Sequence, residues 1–70
     1  MITVEDLRFM VEDYVMVMTM SSSLITFKMK QKIIELIGEQ LLIDYYSSYE
    51  IRGHGIIQEI RFVPLWNILW

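Results

Sequence analysis

Apolar and polar positions change period several times along this chain, and each change marks an expected element. Thr3 stands where a helix cap belongs, Asp6 can reach back to it, and Ile2 and Leu7 flank it as a hydrophobic staple. The pattern predicts a first helix over residues 4–13. At about 100° per residue, Leu7, Met10, Val11 and Tyr14 share a face with Val4, while Glu5, Asp6, Arg8, Glu12 and Asp13 take the rest. On that helix Phe9 projects through the charged face, nearest Glu5, Glu12 and Asp13.

From Leu24 to Lys30 the period is two: Ile25, Phe27 and Met29 alternate with Thr26, Lys28 and Lys30. The preceding run from Tyr14 to Met20 is apolar on both faces, and Ser21-Ser22-Ser23 offers a turn between the two. A hairpin over residues 14–30 follows; its rival is a first helix prolonged to Met20, since methionine is a good helix former.

Residues 31–46 return to helical spacing. Ile33, Ile34, Ile37, Leu41 and Tyr45 form one stripe and Leu36 and Ile43 a lesser one, with Lys32, Glu35 and Glu39 wet and Gly38 allowing a neighbour close. Ser47 and Ser48 would end this helix. Tyr49-Glu50-Ile51-Arg52 and the run from Ile56 to Val63 then read as a second hairpin turning at Gly53-His54-Gly55, closed by Pro64. The expected architecture is a small α+β domain, helix–hairpin–helix–hairpin, over residues 1–70, with an apolar tail at 64–70. The alternative is a mainly α chain with the longer first helix.

Composition sharpens this picture. The 70 residues are 54% apolar and 21% charged, yet a chain of this size buries only about 60% of its unfolded surface. Apolar surface is therefore in excess, and self-association or a protein partner is the expected remedy. Leu65, Trp66, Ile68, Leu69 and Trp70 are the candidate oligomer or partner interface, because tryptophan is enriched at binding hot spots. Phe9 with Glu5, Glu12 and Asp13 is a second candidate, suited to an Arg or Lys stem on a partner.

Catalysis and cofactors find little footing. No cysteine is present, and the methionine run Met10, Met16, Met18, Met20 and Met29 reads as core filler in preference to a copper site. His54 between glycines reads as a turn residue; its chemical alternative is an oligomeric enzyme with His54 at a shared site. Neither metal nor cofactor is expected. Lys28, Lys30 and Lys32 could meet phosphates in a small nucleic-acid-binding regulator, but the net charge of −3 and the separation of Phe27 from the lysine face disfavour it. The uncharged stretch at residues 14–27 falls short of the roughly 20 residues of a spanning helix, and Glu5 and Asp6 interrupt any apolar leader, so a cytoplasmic protein without a membrane span is expected. The functional expectation is a small non-catalytic interaction module, an accessory or inhibitory protein of the kind mobile elements encode, acting on a partner or by self-assembly.

Overall fold

A computed structural model describes residues 1–65, and these form an antiparallel sheet of six strands with no α-helix. The strands are β1 (Ile2–Glu5), β2 (Arg8–Glu12), β3 (Met16–Met20), β4 (Leu24–Lys28), β5 (Lys32–Tyr46) and β6 (Glu50–Pro64), in the order β1-β2-β6-β5-β4-β3. Both expected helices are thereby overturned, as are the α+β architecture and its mainly α alternative.

The first error turns on the segment from Thr3 to Arg8. Read as a helix cap, it is a tight hairpin: Glu5 pairs with Arg8, and Asp6 takes a positive φ of 55°, which Asp tolerates better than most residues. The period is then two. Val4 faces Phe9 and Ile2 faces Val11 across the pair, so Phe9 and Val11 point inward while Leu7 sits in the turn, 59% exposed. Helical phasing exchanges Phe9 and Leu7, while Val11 is inward in either phasing.

The second error has a different cause. In β5 the inward residues are Ile34 and Leu36 before the middle of the strand, and Leu41 with partly buried Ile43 after it. Even numbers give way to odd ones because the register shifts between Glu39 and Leu42, where β5 carries the extra residue and Gln40 takes a φ of 55°. A bulge inserts an extra residue and flips the face of everything beyond it. Two alternating halves out of phase, one of them apolar on both faces, imitate a helical stripe.

The second hairpin is also displaced. Gly53-His54-Gly55 lies inside β6, and the chain reverses instead at Ser47-Ser48-Tyr49. There the Ser47 hydroxyl oxygen accepts hydrogen bonds from the Tyr49 and Glu50 amides at 3.2 and 3.1 Å. Ser21 accepts from the Ser23 and Leu24 amides in the same way, at 3.3 and 3.0 Å. Ser21 and Ser47 thus build one kind of turn. The first joins β3 to β4 as the alternation predicts.

The core shows how the sheet is shaped. Phe9 and Val11 of β2 join Ile25 and Phe27 of β4, Ile34, Leu36 and Leu41 of β5, and Ile51 of β6 in one buried cluster, although β2 and β4 are not neighbours in the sheet. With no second layer among the described residues to cover it, a core this buried requires the sheet to coil upon itself. Gly53 lies directly opposite Phe9 and accepts the ring over its bare Cα, where a Cβ would stand 2.3 Å from Phe9 Cζ. Among the described residues, β1 and β3 are the edge strands.

Candidate functional site

The edge strand β3 is the most exposed apolar element. Met16, Met18 and Met20 are 50%, 49% and 65% exposed, and residues 14–27 around them carry no ionised side chain. Its inner edge pairs with β4, with a bulge between Val17 and Thr19; its outer edge has no strand beside it among the described residues. Natural sheets usually blunt such an edge with lysine, proline or an inward charge. Here the bulge is the one such device. The methionine run expected to fill the core therefore divides: Met29 is buried, Met10 is partly buried, and the three of β3 are outside.

On the outer face of the β1-β2-β6 region lies a shallow groove of about 530 Å³, lined by Thr3, Glu5, Arg8, Asp44, Tyr45 and Arg52 among others. The Arg52 guanidinium stacks 4.6 Å from the centre of the Tyr45 ring and donates from Nε to Glu50 at 2.7 Å; that carboxylate raises the guanidinium's pKa above its ordinary value. Beside the groove His54 Nδ1 lies 2.8 Å from Asp44 Oδ2. The pair orients the imidazole as acid–base dyads do, but both side chains are exposed, and the groove offers no serine, cysteine or lysine nucleophile among its described lining residues. A satisfied surface histidine accounts for the geometry. Sequence reasoning missed Asp44, which the reversal at residues 47–49 brings opposite His54.

A second groove, about 630 Å³, lies at the other end of β2, between Asp13, Tyr14, Lys30, Lys32 and Tyr49. Tyr14 donates its hydroxyl to the Ser47 carbonyl and packs edge-on to Tyr46 with ring centres 6.2 Å apart. Partial burial, and secondarily the Tyr46 hydroxyl, raise its pKa above the ordinary tyrosine value. Because the folded value is the higher one, this contribution to stability is complete below the unfolded pKa and disappears as pH rises through the folded one. Tyr14→Phe is expected to cost about 1 kcal/mol near neutrality and to flatten the alkaline end of the stability curve; an unchanged alkaline slope in urea titrations would refute this role.

The remaining expected site residues scatter. Phe9 is 2% exposed, because a strand and not a helix carries it, so no aromatic ring stands among surface acids there. Glu5 lines the first groove and Asp13 the second, while Glu12 pairs across from Glu50; the three do not form one patch. Lys28 shares a face with Met16 and Ile33, whereas Lys32 lies on the opposite face, with its ammonium 5.1 Å above the Phe62 ring. Lys30 occupies the turn between β4 and β5. They make no common strip. Leu65 donates its amide to the Gln31 carbonyl at 3.3 Å, and the expected interface residues Trp66, Ile68, Leu69 and Trp70 lie outside the described residues.

Among the described residues no three His, Asp or Glu side chains gather as a metal site would require, and no helix is long and apolar enough to cross a membrane. No family model, curated protein or solved structure matches the chain.

Proposed function

We propose that this protein acts through protein–protein contact, using the outer edge of β3 to add its sheet to another strand. The observation that carries the reading is the coincidence at β3 of an open backbone edge with three exposed methionines and no charge. Main-chain hydrogen bonds supply affinity in such strand addition, and side chains on the two faces supply selectivity. Methionine suits the task because its unbranched thioether adapts to different neighbours. Accessory and inhibitory roles both fit this mode, since each requires occupation of a partner's surface and no chemistry.

The nucleic-acid alternative loses support from the opposed faces of Lys28 and Lys32, and the enzymatic one from the lack of a serine, cysteine or lysine among the described residues lining the groove at Asp44. Met18→Lys tests the contact reading. A charge on an edge strand opposes pairing, and substitution at a half-exposed side chain should move stability by no more than about 0.5 kcal/mol. The expected result is a folded variant that no longer associates with itself or with the proteins that co-purify with the unsubstituted chain from its native source. Undiminished association would remove β3 from the function.

A further inference from the structure

Resting on the reading of β3 as a contact edge, we infer that Met16, Met18 and Met20 form a reversible oxidation site, at which conversion of the thioethers to sulfoxides by a peroxide closes that edge to its partners. The chain has six methionines and no cysteine, so methionine carries the only sulfur an oxidant can reach. Exposure divides the six. The three of β3 are exposed, as is Met1, whereas Met29 belongs to the buried core and Met10 is partly buried. A peroxide in solution therefore meets the sulfurs of β3 while that of Met29 is shielded by packing. Met1 precedes β1, at the opposite end of the strand order.

The chemistry is a two-electron oxygen transfer. A sulfur lone pair attacks hydrogen peroxide, the O–O bond breaks as the S–O bond forms, and the proton of the transferred oxygen passes to the departing hydroxide, which leaves as water. Sulfur is oxidised and the peroxide reduced. Methionine sulfoxide reductase reverses the step with two electrons from a pair of thiols, which become a disulfide while the oxygen leaves as water.

The fold decides what the added oxygens do. Met16 stands directly across from Lys28 and Met20 across from Ile25, and the register shifts between Val17 and Thr19, so Met16 and Met20 lie on opposite faces with Met18 at the irregularity between them. Both faces of the edge thus become polar together. Opposed side chains are about 5 Å apart at Cβ, which puts the Lys28 ammonium within reach of a sulfoxide oxygen at Met16, a bond available on the free surface. A strand laid along the edge spends its amide hydrogens on the ladder and has none left for the sulfoxides, whose oxygens it would bury without donors. Association should then weaken by about tenfold or more. Before oxidation no charge in residues 14–27 opposes docking.

The test is graded oxidation of the whole chain with hydrogen peroxide, followed by peptide mass mapping, far-ultraviolet circular dichroism and the same association measurement that Met18→Lys undergoes. Sulfoxide should appear at Met16, Met18 and Met20 at least about tenfold faster than at Met29. The expected spectrum is unchanged, and the reductase should restore the lost association. A Met10→Leu/Met29→Leu variant, whose remaining methionines are Met1 and those of β3, should respond to peroxide as the unsubstituted chain does. Equal rates at Met29 and in β3, a spectrum that decays in step with oxidation, or loss that the reductase does not reverse would each overturn the inference, as would a folded double variant that resists peroxide. If Met18→Lys abolishes association but the sulfoxides leave it intact, the oxidation site fails and the contact reading stands. If neither alters association, both fail.

Discussion

Phe9→Ala is expected to lower folding stability by about 3 to 5 kcal/mol, the cost of deleting a buried phenylalanine ring that leaves a cavity. The ring is 2% exposed and shares the core with Val11 and Ile51, and it covers Gly53 of the facing strand. Gly53 has no side chain with which to fill the space left behind. For a domain whose entire stability is on the order of 5 to 15 kcal/mol, such a loss brings a large unfolded population at room temperature. Leu7→Ala should instead fall within about 0.5 kcal/mol of the unsubstituted chain, because that side chain projects from the β1–β2 turn. Urea titrations followed by far-ultraviolet circular dichroism give both values from the shift in midpoint. If Leu7→Ala proves the more damaging, helical phasing of residues 4–13 is correct and the β1–β2 hairpin is wrong.

Gly38→Ala should be at least as severe. A Cβ added at Gly38 would stand 2.0 Å from the carbonyl oxygen of Ile56 and 3.0 Å from its carbon. The obstacle is backbone, so no side-chain rotation relieves it. Gly38 pairs with Ile57 beside a register shift, where β5 and β6 approach closely as the sheet bends, the situation in which an interior strand glycine is required. We expect a loss beyond the roughly 4 kcal/mol at which single substitutions become exceptional, seen as a collapse of the thermal transition. Gln40→Gly, two residues on, should do the opposite. Gln40 holds a φ of 55°, a conformation that costs a non-glycine residue about 1 kcal/mol or more, so the substitution should be neutral or stabilising. A Gly38→Ala protein with an unchanged melting temperature would mean that the strands do not cross there.

Several features of this protein were legible in its residues alone. The alternation from Leu24 to Lys30 marked the strand β4, which ends at Lys28 and buries Thr26 as well as Ile25 and Phe27, and Ser21-Ser22-Ser23 marked its hairpin turn, because period two over a short apolar run has no helical counterpart. The excess of apolar residues over what 70 can bury implied that large apolar side chains would stay exposed, as Met16, Met18 and Met20 do. Which residues those would be was not legible. Met16, Met18 and Met20 resemble core filler until the strand order leaves β3 at an edge, and which strand lies at an edge is a property of long-range pairing.

Other features were decided only by tertiary structure, for a common reason. Bulges in β5 and β6 reverse the inward face partway along each strand, so the residues that line one core do not keep one period in the chain, and their spacing passes for that of a helix. Asp44 and His54 become neighbours because the reversal lies at residues 47–49 and not at the glycines. The burial of Phe9 likewise depends on Gly53, a residue 44 positions away whose missing side chain makes room for the ring. Local sequence determined the turns and the short strands, where the deciding contacts lie within a few residues. The coiling of the sheet, the composition of its core and the identity of its open edge were set by contacts between distant residues, which periodicity cannot register.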